Sequence, residues 1–577
     1  MSRLLLLLSI PFVLSAATEA NHLPRSLKWS STTYGPDGPW HAITILIGTP
    51  PQSVDLFPGG VAVSNILSQS LCTNGSEECY SSAAGLYDAS QSSTSIHGTN
   101  GTYVNGSFAG HGYLSLQGSA EYTADTMFVT TGDQPSALLQ YQDFAMLVIS
   151  DGQWTLPDGS GYTIEVGNLA LGGPYINRSL TKSNSTLFDG STLSSVPASE
   201  GVTPSNSFGM HIGSVGMGIS PSIYLGGYDQ SRVLGNVTVQ PRGVDSFPID
   251  LLDIGIETAI GSSPFPFASR SGLLAQGNSS IGKSMQVIVE PTSPFLYLPK
   301  STCDAITQLL PVNYDSSLGL YLWDTTSPIY DTILYSPAYL SFTFRLNASL
   351  TESMSIKVPF VLLNLTLTAP LVDTPTAYFP CTPYDYGKST NLPTLGRAFL
   401  QAAFIGANWG LNTSGNGSWF LAQAPGPNTS SEAVVMSIGL NDNYIIPSEN
   451  DWEDSWSNNW DPISDSSGPV PVVGIVVGVV LGLLTVLALV VLCAPASTWC
   501  GWRKRRVARK KAEKASRKQV EMTSISDGRQ APWTSDESQG SEADFEPKSL
   551  FPELFPEPKS LRLDLDIRQR PVNSLVE

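Results

Sequence analysis

From about residue 35 to 440, apolar and polar positions alternate in short runs rich in Val, Ile, Thr, Tyr and Phe, separated by clusters of Gly, Pro, Asn, Asp and Ser. "AITILIG", "TMFVTT", "SIYLGGY", "MQVIVE", "FLYLP", "LSFTFRL" and "IKVPFVLL" each fit a strand, so the region is predicted to be mostly β. Helical patterning is sparse and clearest in "KSTCDAITQLL" and "LGRAFLQAAF", the first with Ser301 or Thr302 as its N-cap. Two longer apolar runs interrupt this pattern. Residues 1–20, "MSRLLLLLSIPFVLSAATEA", carry one Arg, an apolar stretch too short to span a bilayer and small residues at the end, the layout of a secretory signal peptide. Residues 472–493, "VVGIVVGVVLGLLTVLALVVLC", run for 22 residues without a charge, enough to cross a hydrocarbon core of about 30 Å.

The flank "WRKRRVARKKAEKASRK" follows at once, and an excess of basic residues marks the cytosolic side. The expected topology is a single-pass type I protein at the plasma membrane with its N-terminal part extracellular; a vacuolar or other secretory-pathway membrane is the alternative. Charge divides at the same place. Of 30 basic and 49 acidic residues in the chain, positions 503–577 hold 16 and 13, which leaves 14 and 36 before them. An exterior so acidic is a poor partner for nucleic acid. Twelve Asn-x-Ser/Thr sequons, at Asn74, Asn100, Asn105, Asn177, Asn184, Asn236, Asn278, Asn347, Asn364, Asn412, Asn416 and Asn428, all precede the span and predict glycosylation.

An oxidising compartment makes disulfides the default for the four exterior cysteines. Of their three pairings, Cys72–Cys79 and Cys303–Cys381 is the favoured one. Cys493 and Cys500, at the inner face, are palmitoylation candidates or buried thiols. Between residues 446 and 471 the chain turns acidic and rich in Pro and Ser, and reads as a stalk; Trp452, Trp456 and Trp460 are spaced as a helical stripe that packs on the membrane interface or on the globular domain, or else belong to a loose linker. The tail 494–577 reads as disordered beyond its basic start and repeats "EPKSL" at 546–550 and 557–561, a candidate docking peptide for a cytosolic partner. Gly474, Gly478 and Gly482 share one face of the span and predict a parallel homodimer.

Several segments resemble the pepsin-like aspartic peptidase family, in particular its fungal membrane-anchored members. "IGTPPQ" at 47–52 is similar to the entry to the first active loop, and "YVNGSFAG" at 103–110 to the flap hairpin, with Tyr103 in the flap tyrosine's place. "SIYLGGYDQSRVLGNV" at 222–237 resembles the end of the first lobe. "VIVEPTSPFLYLP" at 287–299 stands where the second catalytic loop belongs, and "PTLGRAFLQAAFIGANW" at 393–409 resembles the strand and helix beneath it. Cys303 and Cys381 match the family's second-lobe disulfide. The resemblance implies a bilobal ectodomain over 21–445, with lobes of about 35–242 and 243–445.

It also implies a site that has lost its chemistry. The family's mechanism needs two facing carboxylates sharing a proton, one activating water and the other protonating the substrate carbonyl. Counting from "IGTPPQ", the first aspartate's position falls on Gly59; in the second loop Glu290 replaces it. Gly60 and Pro291 occupy the positions of the supporting threonines, and Val148 in "MLVIS" that of the first-lobe glycine beneath the loop. Asp55 lies about 13 Å from Gly59 along an extended strand, too far to substitute. Among His22, His41, His97, His111 and His211 no metal-binding spacing occurs, and no GxSxG marks a nucleophile; His111 and His211 read as sheet residues. No cofactor or metal is expected. The leading expectation is a non-catalytic surface glycoprotein binding a peptide or wall glycan in the cleft, lined by Tyr103. The alternatives are an active tethered endopeptidase using Glu290, and a wall or adhesion sensor acting through stalk and tail.

Overall fold

The computed structural model describes residues 22–464, apart from 60–62, 73–78, 98–102, 112–113, 133–137, 174–176, 182–186, 243–245, 348–350, 385–391, 411–416 and 431, together with 505–512. Side chains at 97, 103–111, 114–115, 177–181, 187–189 and 384 also fall outside the described part. The signal peptide, the span with Gly474, Gly478 and Gly482, Cys493 and Cys500, the "EPKSL" repeats, and Asn74, Asn100, Asn184, Asn412 and Asn416 lie outside the described residues. Among the described residues no helix is long and apolar enough to cross a membrane. Residues 505–512, in the basic flank, are helical and exposed.

The chain is mostly β, with 45% strand and 14% helix. Each of the quoted alternating runs forms at least one strand. A twelve-stranded sheet takes all its members from residues 29–191, and a seven-stranded sheet takes all of its from residues 248–395. A six-stranded sheet mixes the two halves. Its Ser207–His211 strand pairs antiparallel with Ala403–Asn408, and Leu234–Pro241 pairs with Ser418–Gln423. Under it Phe247 stacks at 5.7 Å from Trp409 and 5.6 Å from Trp419, with Phe208 at 6.2 Å, so large aromatic area is buried where the halves meet.

The two halves repeat one arrangement. In the first, Trp40–Ile47 runs antiparallel to Gln52–Pro58, which is flanked in parallel by Gly167–Leu169. In the second, Pro248–Thr258 runs antiparallel to Met285–Val289, which is flanked in parallel by Thr394–Leu395. Gly167–Leu169 and Thr394–Leu395 are each paired again, antiparallel, with Ser64–Leu67 and Leu296–Pro299. Each half therefore delivers one strand end, Pro58 or Val289, into a loop supported by a neighbouring strand.

Helices are few. "KSTCDAITQLL" forms Lys300–Thr307, but neither Ser301 nor Thr302 caps it: the N-cap position is Pro299, and the Thr302 hydroxyl donates to the Leu274 carbonyl at 2.7 Å. In "LGRAFLQAAF" the helix covers only Arg397–Leu400 before the chain turns into the strand Ala403–Asn408. Cys72–Cys79 and Cys303–Cys381 are both disulfides, with Cα atoms 5.7 and 5.9 Å apart.

The segment expected as a stalk belongs in part to the globular unit, whose described residues run to Ser464. Its tryptophans form no helix: only Asp454–Trp456 makes a 3₁₀ turn. They fold over one another instead, with Trp456 and Trp460 stacked at 5.3 Å and Trp452 at 5.4 Å from Trp460. Lys357 Nζ sits 4.6 Å over the Trp452 ring and 3.4 Å from Glu453, while Tyr339 packs edge-on at 5.6 Å. Backbone bonds from Ser262 N–H to the Ile463 carbonyl and from Asp461 N–H to that of Tyr335 fasten its end. Apolar burial outweighs the acidic composition here: the three indoles are buried, while the five carboxylates of residues 446–464 stay at least partly in water.

Candidate functional site

The Gln52–Pro58 strand ends at Gly59, whose N–H donates to the Leu169 carbonyl at 3.0 Å. The second loop copies this, with the Glu290 N–H donating to Leu395 O at 3.0 Å. Gly59 and Glu290 are thus equivalent positions, and the loops face each other directly. Gly59 has φ +154°, and a Cβ built on it would stand 2.7 Å from Pro291 Cβ and 3.0 Å from the Thr292 nitrogen. The space for a first carboxylate is filled by the opposite loop.

Glu290 is buried, and its carboxylate turns back into its own loop. One oxygen accepts from the Thr292 N–H at 3.0 Å and from the Thr292 hydroxyl at 2.9 Å. The Ser293 N–H closes the turn on the Glu290 carbonyl at 3.1 Å. A general base needs a free lone pair beside water and, for amide hydrolysis, an acid opposite. Among the described residues no carboxylate faces Glu290 across the loops.

Asp55 is likewise committed elsewhere. Ser30 Oγ, Tyr34 OH and Thr44 Oγ1 donate to its carboxylate at 2.6, 2.5 and 2.6 Å, tying the Trp29–Tyr34 strand to the sheet. Burial and the Asp55 carboxylate together raise the Tyr34 phenol above its ordinary value. His211 lies buried in the Ser207–His211 strand, with Nε2 2.9 Å from the Gln401 carbonyl; burial is the largest cause of its drop to about 3, so it stays neutral.

Two placements differ from the sequence reading. Val148 pairs with Ile66, one strand removed from the loop; the neighbours of Gly59 are Leu169 and Ala170, the counterparts of Leu395 and Gly396. The signal in the sequence is "NLALG" at 168–172, a second apolar run, which ends in the glycine that "MLVIS" lacks. Tyr103 opens the Tyr103–His111 strand, paired with Glu121, while the hairpin turns between His111 and Leu114. Its backbone therefore lies at the base of the hairpin rather than near the tip, and its side chain is outside the described part.

The residues that fill the site went unnoticed in the sequence. Arg397 is buried, and its Nη1 donates to the Thr292 carbonyl at 3.0 Å and weakly to that of Pro291 at 3.4 Å. Its guanidinium lies 4.4 Å from the Phe57 ring and 5.2 Å from that of Trp40. Its Nη2 is 3.7 Å from Asp37 Oδ2, both side chains being only 7% exposed. Asp37 also accepts from Trp40 Nε1 at 2.7 Å and, through its carbonyl, from the Tyr378 hydroxyl at 2.6 Å. This buried ion pair clamps the entry of the first half to the loop of the second. Burial alone lowers the Arg397 pKa, and Asp37 is the main counterweight.

Beside the clamp a pocket opens between Phe57, Trp154, Tyr162, Glu165, Thr292 and Arg397. Glu165 Oε1 is buried there without a hydrogen-bond partner. Burial first, and the Asp37 carboxylate second, push the Glu165 carboxyl up to about 8. Among the described residues no group of three or more His, Cys, Asp or Glu could hold a metal ion. No protein-family model matches the chain, and no curated protein matches it.

The geometry predicts the fate of a restored dyad. Gly59→Asp with Glu290→Asp is expected to yield no peptidase activity, because any side chain at 59 must displace Pro291 and a misplacement of about 1 Å can cost a hundredfold in rate. Turnover of a denatured protein by the purified double variant is the check; sustained cleavage would mean that the loops part freely.

Proposed function

We propose that the chain is a single-pass surface glycoprotein whose ectodomain has the bilobal pepsin-like architecture without its peptidase chemistry, and that its cleft binds an extended peptide and leaves it intact. The observation that carries this reading is the contact of Gly59 with Pro291, which closes the position of one carboxylate while Glu290 is held by Thr292. The repeated strand–loop arrangement supports the bilobal architecture, since each half supplies one loop to a shared centre. Long antiparallel strands flank that centre, and an extended peptide docks beside such elements through backbone pairing and side-chain pockets. The sequons among the described side chains, Asn236, Asn278, Asn347, Asn364 and Asn428, are all at least partly exposed, as glycan carriers must be. Topology and membrane anchoring rest on the sequence pattern of residues 472–510.

The test uses the full chain in detergent micelles, titrated with acetyl-Thr-Val-Thr-Leu-Val-Thr-Val-amide and, separately, with a β-1,3-glucan hexaose. The expected result is saturable binding of the peptide, recovered uncleaved by mass spectrometry. Binding of the glucan alone would assign the cleft to wall carbohydrate and overturn the peptide reading.

A further inference from the structure

The pocket beside the Asp37–Arg397 clamp holds a buried carboxyl oxygen that no described residue hydrogen-bonds. Arg397 is taken up by Asp37, by the Pro291 and Thr292 carbonyls and by the aromatic faces of Phe57 and Trp40. Asp37 is taken up by Arg397 and Trp40. Glu165, on the opposite wall, keeps a buried oxygen with no donor. A buried polar atom without a partner costs free energy, and it persists at a site that a ligand completes.

The titratable and charged groups lining the pocket are Asp37 and Arg397, Tyr162 from the first half, Tyr297 from the Leu296–Pro299 strand, and Glu165 itself. At Tyr162, Tyr297 and nearby Tyr378 the effect of Asp37 exceeds the opposing effect of Arg397, and at Glu165 Asp37 is the charge that acts. The pocket's fixed charges are the paired Asp37 and Arg397, of which Asp37 acts the more strongly on these groups. Its walls are aromatic, with Phe57, Trp154, Tyr162 and Tyr297 among them. An aromatic cavity with a spare carboxyl oxygen suits a cation, which gains both the ion pair with Glu165 and the ring faces.

We propose that this pocket receives a lysine or arginine side chain of the bound peptide, with Glu165 as its counter-ion. The inference rests on the peptide-binding reading above and adds its specificity. Glu165 is protonated in the empty site at neutral pH, so docking a cation displaces that proton to solvent and leaves a carboxylate paired with an ammonium or guanidinium. Affinity for a cationic peptide then rises with pH, by up to about tenfold per unit, and levels off above about 8, where the empty site is already ionised.

The experiment titrates the full chain in micelles with acetyl-Thr-Val-Thr-X-Val-Thr-Val-amide, X being Lys, Arg, Leu or Glu, by calorimetry at pH 6 and 8 in buffers of different ionisation enthalpy. Expected are Lys and Arg peptides that bind at least about tenfold tighter than the Leu peptide at pH 8, a preference that shrinks at pH 6, and release of close to one proton per cation bound at pH 6 to 7. Glu165→Gln should bring the Lys peptide to the Leu value and abolish proton release, with Leu binding unchanged. Equal binding of the Lys and Leu peptides to the wild type, or a Lys preference that survives Glu165→Gln, overturns the inference while leaving peptide binding intact. Should no peptide bind, the peptide reading fails by itself, and n-butylguanidinium, followed by Trp154 fluorescence, still reads the pocket. Saturable quenching that Glu165→Gln removes supports the cation site, and its absence overturns it.

Discussion

Replacing Asp37 by Asn is expected to destabilise the protein by about 3 to 5 kcal/mol, the usual range for removing one partner of a buried ion pair. The loss comes less from the attraction forgone than from the charge left behind. Arg397 would remain with only two carbonyls and two ring faces to hold a full positive charge, and its Nε already has no partner. At 3.7 Å the pair makes no direct hydrogen bond, so its contribution lies in charge balance within a buried site. Asp37→Asn combined with Arg397→Met should recover most of the loss, because the apolar side chain needs no counter-ion and keeps the contact with Phe57. Urea unfolding of the three proteins checks this; a single variant within 0.5 kcal/mol of wild type, on the order of an ordinary surface substitution, would mean that water already screens Arg397.

Trp456→Ala is the second large effect, with an expected cost of about 3 to 5 kcal/mol. Its ring is 1% exposed, stacks on Trp460 and lies against Gly426, where a Cβ would come within 2.7 Å of the indole. The cavity left could not collapse readily, since Gly426 is held by its N–H bond to Ser455 Oγ and the residues flanking Trp460 by the Asn459 N–H bond to the Trp456 carbonyl and the Asp461 N–H bond to that of Tyr335. Ending the chain at residue 445 should destabilise it at least as much and expose apolar surface to a fluorescent dye. Unchanged urea midpoints for both proteins would return this segment to the role of a linker.

These two predictions involve the residues that local pattern could not place. The strands were legible because alternation with period two reports burial on one face, and "AITILIG" or "LSFTFRL" carries that signal within itself. Gly59 and Glu290 were legible as equivalent positions through the family resemblance alone, by counting from "IGTPPQ" and aligning "VIVEPT" with the second loop. Asp37 and Arg397 stand near opposite ends of the domain, each within an unremarkable turn or helix, and only the meeting of the halves gives them a common role. The tryptophans misled for a related reason. Their spacing of four suits a helix, but the free energy of burying three indoles favours whatever backbone path stacks them, and here that path is nearly without helix. Leu169 and Ala170 hold the place expected for Val148 because the loop's neighbour is set by which strand lies parallel to Gln52–Pro58, a pairing that local sequence does not report.

The account stands on the absence of peptidase chemistry from the centre of the domain, and one assay addresses that directly. The purified full chain in micelles is incubated with denatured casein between pH 3 and 6, with and without a statine-containing peptide inhibitor, beside the Glu290→Gln variant. The expected outcome is intact casein in every arm, since Gly59 offers no carboxylate and Glu290 is bound by Thr292. Cleavage by the wild type that the inhibitor blocks and Glu290→Gln abolishes would contradict the account.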